Sequence, residues 1–219
     1  LRRRHGEIIY KLPKRLIPVV SHDRTLISVY DGTIRKRKEW LYDLSTDRRL
    51  RLTPGCFAAA RVSAGYVLSC TGPEGKGRKA RERSDLMLMT PEGTTLITEA
   101  PYTVPKVGAV GHWDSVVPSP DGSTLLAQWS GECEIPEAFF VSLYGSGARP
   151  LIPHGRHGGP NTTALGWSPD GRAFAFVPKS PGCGGEFDRS GVYRFDPEGE
   201  PPELVFPTAT DAYVTRWYS

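Results

Sequence analysis

In this 219-residue chain, His112, Asp114, His154 and His157 are of the types that hold a divalent transition metal. His112 and Asp114 lie two residues apart. His154 and His157 follow in Pro153-His154-Gly155-Arg156-His157-Gly158-Gly159-Pro160. Three imidazoles and a carboxylate could bind a metal acting as Lewis acid for a lyase or hydrolase. The spacing argues against it, because His-x-x-His in a glycine-rich loop is not fixed in ligating geometry as it would be on a helix. The sequence has no Gly-x-Ser-x-Gly elbow, no Gly-x-Gly-x-x-Gly and no Gly-x-x-x-x-Gly-Lys-Ser/Thr phosphate loop. We therefore expect no catalytic residue and no cofactor, with the metal-assisted enzyme as the alternative.

Basic side chains offer a different chemistry. Arg35-Lys36-Arg37-Lys38 and the run containing Lys76, Arg78, Lys79, Arg81 and Arg83 concentrate positive charge in a chain whose net charge is only +4. Such runs attract acidic partners. They are not interleaved with aromatics that could stack on bases, so nucleic acid is disfavoured and a protein or an anionic polymer is expected. Trp113 and Tyr102 are candidate apolar anchors beside them, whereas Trp129, Trp167 and Trp217 read as packing residues.

The elements that must position these groups are strands. Hydrophobic residues make up 38% of the chain and charged ones 24%, enough for a stable core, which excludes disorder as the dominant state. The 20 prolines and 24 glycines disfavour long helices. No apolar stretch is long enough for a membrane-spanning helix, and Leu1-Arg2-Arg3-Arg4-His5 lacks the apolar run of a signal peptide. Segments such as Gly191-Val192-Tyr193-Arg194-Phe195 alternate with period two, as in a sheet with one covered face.

An internal repeat organises the strands. Ser119-Pro120-Asp121-Gly122-Ser123-Thr124-Leu125-Leu126-Ala127 recurs 49 residues later as Ser168-Pro169-Asp170-Gly171-Arg172-Ala173-Phe174-Ala175-Phe176. In each copy an apolar strand enters a turn where Pro sets φ and Gly supplies φ > 0, and a second strand leaves it. Weaker copies start at Ile17 and Phe57, and Val214-Thr215-Arg216-Trp217-Tyr218-Ser219 begins a fifth. Two further strands follow each hairpin, for example 39–44 with 50–52 and 191–196 with 203–206. Four strands per unit of this length make a propeller blade.

Trp167-Ser168-Pro169-Asp170-Gly171 followed by Val192-Tyr193 resembles the TolB-like propeller repeat over about residues 16 to 219. The resemblance implies an all-β, small β-propeller and is nearly silent on activity, since such propellers include periplasmic scaffolds, lyases and non-catalytic enzyme domains. We expect one domain, 1–219, with units near 16–55, 56–104, 113–153 and 162–207. A fifth, closing blade would combine 208–219 with 1–15. The alternatives are a piece of a longer propeller, or a β-sandwich.

The repeat also sorts the cysteines. Cys56 and Cys70 flank the Ser63-Ala64-Gly65 turn symmetrically, while Cys133 and Cys183 fall at matching places after the turns of their units. Both pairings are plausible, although four cysteines admit three connectivities. An even, sorted count favours an oxidising, extracytoplasmic setting: periplasmic, secreted, or the outer domain of an anchored protein. The long connectors 30–38, 71–84, 130–137, 178–190, 101–114 and 153–163 should share one face, placing both basic runs on adjacent blades. A non-enzymatic interaction module is the reading that results, and a structural piece of a larger assembly is a further alternative.

Overall fold

In a computed structural model, residues 16–31, 39–74, 81–101, 111–130, 136–145, 147–153, 161–178 and 190–208 are described. They form sixteen strands and no helix. Sheet one holds β1 (Leu16–Val20), β2 (Leu26–Asp31), β3 (Glu39–Asp43) and β4 (Arg48–Leu52). Sheet two holds β5 (Cys56–Val62), β6 (Gly65–Glu74), β7 (Arg81–Thr90) and β8 (Gly93–Thr98). Sheet three holds β9 (His112–Pro118), β10 (Thr124–Ser130), β11 (Pro136–Ser142) and β12 (Ala148–Pro150). Sheet four holds β13 (Thr163–Trp167), β14 (Ala173–Val177), β15 (Gly191–Phe195) and β16 (Glu203–Pro207). Each is an antiparallel meander with its strands in chain order, the blade architecture of a small β-propeller. The expected closing blade, 1–15 with 209–219, lies outside the described residues.

The hairpin turns explain why the strands start where they do. Asp121 accepts hydrogen bonds from Ser119 Oγ at 2.6 Å, Ser123 N at 3.0 Å and Ser123 Oγ at 2.8 Å, while Ser119 Oγ accepts from Thr124 N at 3.0 Å. These bonds, led by that from Ser119, hold the Asp121 carboxyl at about 2. Ser21, Asp23 and Thr25 reproduce the arrangement in sheet one, with Thr25 Oγ1 donating to Asp23 at 2.6 Å. There, however, Arg24 occupies the place of Gly122 and Gly171. Its φ is 60°, against 72° and 82° for the glycines. A side chain in left-handed backbone costs about 1 kcal/mol or more. Arg24→Gly is therefore expected to raise stability by about 0.5–1 kcal/mol, read as a melting temperature about 2–4 °C higher. An unchanged or lower value would show that the turn is not strained.

The sheets pack face to face in succession, each against the next. Leu26, Leu41 and Leu52 meet Cys56, Ala58 and Leu68 between sheets one and two. Between two and three, Val67, Leu86 and Ile97 meet Trp113, Trp129 and Phe139. Between three and four, Leu126, Ala138 and Phe140 meet Ala173, Ala175 and Tyr193. Sheet three is thus covered on both faces, which is why Leu125, Leu126 and Ala127 are all fully buried rather than alternating.

Side chains also bond from one sheet to the backbone of its neighbour. Ser28 Oγ accepts from Ala58 N at 2.7 Å, Gln128 Oε1 accepts from Ala164 N at 3.2 Å, and Trp167 Nε1 donates to Val117 O at 2.8 Å. These bonds give partners to backbone groups on the first strand of a sheet, whose outer edge has no neighbouring strand among the described residues. One residue is extra in each of β5, β9 and β13, where the pairing register skips between Ala58 and Ala60, Trp113 and Ser115, and Ala164 and Gly166.

Candidate binding face

Because each sheet is a meander, its first and third turns leave from one end. The connectors β2–β3, β6–β7, β10–β11 and β14–β15, with the links between sheets, leave from the other. The strand that follows the first basic connector is tied to the hairpin that carries the second. Glu39 immediately follows Lys38 and opens β3; its buried carboxylate accepts a hydrogen bond from Cys56 N at 3.1 Å in sheet two. Cys56 is in turn bonded to Cys70, directly opposite it in the β5–β6 ladder with Cα atoms 4.0 Å apart. Gly55 O accepts from Thr71 N at 2.8 Å, and the buried hydroxyls of Ser69 and Ser84 lie 3.1 Å apart. The crosslink closes a loop with a sequence separation of 14, which stabilises by about 3 kcal/mol in the chain-entropy account.

Three expectations about this end need correction. Strand pairing continues from Thr71 opposite Ser84 to Glu74 opposite Arg81, so Arg81 and Arg83 stand on β7 and not in a loop. Thr71-Gly72-Pro73 reads as turn chemistry, but the long antiparallel ladder carries through it. Arg35, Lys36, Arg37, Lys38, Lys76, Arg78, Lys79 and Tyr102 lie outside the described residues, as do His154, His157, Cys133 and Cys183.

Trp113 is not an exposed anchor. It is 0% exposed and meets Trp129 and Phe139 edge-on, with ring centroids at 5.1 and 5.6 Å. The bulge is the reason. With Asp114 inserted, Trp113 pairs with Trp129 and Val116 with Ala127, so positions 113 and 116 share the core face that strict alternation would deny them.

The same bulge turns Asp114 outward beside His112, and both stand on β9 instead of in the expected inter-blade loop. His112 Nε2 lies 2.5 Å from Asp114 Oδ1, and Ser130 Oγ donates to Asp114 Oδ2. Asp114, not His112, is the central member. In this order the carboxylate takes the Ser130 hydroxyl, unlike a triad in which the imidazole does so to activate the serine. Among the described residues no three His, Cys, Asp or Glu side chains are grouped for a metal ion. Ser130 and Glu39 were not singled out from the sequence; a polar residue at a strand end carries no signal of its partner there.

At the opposite end, a cleft of about 560 Å³ opens between the turns of sheets three and four, over Trp167 and between Asp121, Asp170, Asp196 and Glu198. The Ser168 hydroxyl holds the Asp170 carboxyl below the usual range. Arg172 pairs with Asp196 and, at 3.5 Å, with Glu200, so part of the negative charge is already met from within.

No protein-family model matches this chain, and no curated protein matches it. Among solved structures it is similar to the crystal structure of TolB from Acinetobacter baumannii, at 16% identity and a TM-score of 0.45. The match covers 89% of this chain and 44% of that one, so the chain spans less than half the length of that structure. No helix among the described residues is long and apolar enough to cross a membrane.

Proposed function

We propose that this chain is a non-enzymatic interaction module working outside the cytoplasm, whose connector-bearing end docks a protein or an anionic envelope polymer. The observation that carries this reading is the tie from Glu39 through Cys56 to Cys70, which joins the strand that follows one basic connector to the hairpin that carries the other. Carried by neighbouring, tied strands, Arg35, Lys36, Arg37 and Lys38 act together with Lys76, Arg78, Lys79, Arg81 and Arg83 as one positive field that steers an acidic partner. Tyr102 is the remaining apolar anchor of the proposed surface. The Cys56–Cys70 crosslink supports an oxidising setting such as the periplasm or the exterior.

Charge reversal of both basic runs is expected to cut the association rate with poly-L-glutamate, a surrogate acidic partner, by about tenfold or more at low salt. The effect should shrink as salt rises. An unchanged rate would remove the assignment.

The contact between His112 Nε2 and Asp114 at the β9 bulge favours a second reading, a metal-assisted lyase or hydrolase using His112, Asp114, His154 and His157. Metal analysis of protein purified without chelator separates the two, because the interaction module predicts no stoichiometric ion.

A further inference from the structure

The outer edge of sheet one carries a charge arrangement distinct from the connectors. Strand β4 is the last in its sheet, and its sequence is Arg48-Arg49-Leu50-Arg51-Leu52. Leu52 is buried and Leu50 half-buried, whereas all three arginines are exposed. The ion pairs among the described residues involve Arg61, His112, Arg172 and Arg194, and none involves Arg48, Arg49 or Arg51. Asp43, opposite Arg48 in the ladder, is committed to Ser45, Tyr66 and Arg61. Three guanidinium groups within four residues of an edge strand therefore have no counter-ion among the described residues.

Two of them are also arranged. Arg49 lies over the Trp40 ring at 3.8 Å from its centroid and beside Tyr42 at 5.5 Å. Stacking fixes the guanidinium plane and leaves its edge free for an oxygen acceptor. Arg51, two residues on and paired with Trp40 in the ladder, projects from the same face, while Arg48 projects from the other. Like charges on an edge repel a second strand of the same kind. A strand of opposite charge is attracted by the same groups.

We propose that β4 is a docking edge for an extended acidic peptide, added as a further strand, with carboxylates at alternate positions meeting Arg49 and Arg51. The alternate spacing of the arginines matches the two-residue repeat of a strand, and the outer edge of β4 supplies main-chain hydrogen bonds that a flexible polyanion would not use. This site is separate from the basic connectors and stands whether or not they bind.

The test uses the full chain and a fluorescein-labelled peptide of alternating Glu and Val, followed by anisotropy at low salt. Binding is expected, with R49E/R51E weakening it about tenfold or more. The same peptide, N-methylated along the one edge that would pair, should lose affinity comparably, because it keeps its charge but cannot donate hydrogen bonds. The connector variant R35E/K36E/R37E/K38E should still bind. If R49E/R51E does not fold, R49Q/R51Q takes its place. No binding by the unaltered chain would overturn the proposal, as would equal binding by the arginine variants. So would unchanged affinity of the methylated peptide, which marks charge-only recognition of any polyanion, or loss of binding in the connector variant.

Discussion

Replacing Trp113 by alanine is expected to destabilise the protein by about 3–5 kcal/mol, the cost of emptying a large aromatic site in a core that collapses only partly. The side chain is fully buried, packed edge-on against Trp129 and Phe139, and belongs to the cluster that joins sheets two and three. Its Nε1 has no hydrogen-bond partner among the described residues, so the loss is one of packing alone. Trp113→Phe keeps much of that packing and forfeits no bond; it should cost clearly less than the alanine variant. Chemical denaturation of the two variants checks the order. A Trp113→Ala protein with unaltered stability but weakened partner binding would restore Trp113 as a surface anchor and contradict the packing between sheets.

Removing the Asp43 carboxylate is expected to be as damaging. The side chain is buried at the end of β3 and gathers hydrogen bonds from Ser45 N at 2.9 Å, Ser45 Oγ at 2.6 Å, Thr46 N at 3.3 Å and Tyr66 OH at 2.8 Å. Arg61 Nη1 stands 3.4 Å away and also donates to Ser45 Oγ. Tyr66 and Arg61 belong to sheet two, so Asp43 fastens sheets one and two at the tight-turn end. Asp43→Ala leaves those donors without their acceptor, at a cost of about 3–5 kcal/mol.

The pH dependence follows from the same contacts. Burial pushes the Asp43 carboxyl up, but the bonds from Ser45, Thr46 and Tyr66 outweigh it and hold the group at about 2, below its ordinary 3.8. A depressed carboxyl contributes stability above pH 3.8 that is lost as pH falls toward 2, about 2 kcal/mol for this group. Burial and the neighbouring Asp43 raise the Tyr66 hydroxyl, whose contribution is lost at the alkaline end as pH rises past 10. Acid titration of the folded fraction should show the Asp43 contribution in the intact protein and not in Asp43→Ala; identical acid profiles would sink it.

The sequence was most legible where backbone geometry is fixed by residue type. Pro120 with Gly122 and Pro169 with Gly171 mark turns that bring the flanking apolar runs into register, and the four-strand meander follows from that spacing. Cys56 and Cys70 were readable as opposite residues because the turn between them is short, and the structure joins them. What remained hidden depends on tertiary context. A bulge adds one residue without any marker in the residue types around Asp114, and that single insertion decided the direction of Trp113. Arg24 takes a left-handed conformation that nothing in its side chain announces. Glu39 looks like the end of a charged run, yet it is buried against the next sheet, where its carboxylate accepts from Cys56 N.

The functional account depends most on the two basic connectors lying side by side. A short amine-reactive cross-linker applied to the intact protein, read by mass spectrometry, measures this directly through Lys36 and Lys38 on one connector and Lys76 and Lys79 on the other. The account predicts abundant links between the two pairs. Lysines that react singly on both connectors without ever linking across would contradict it.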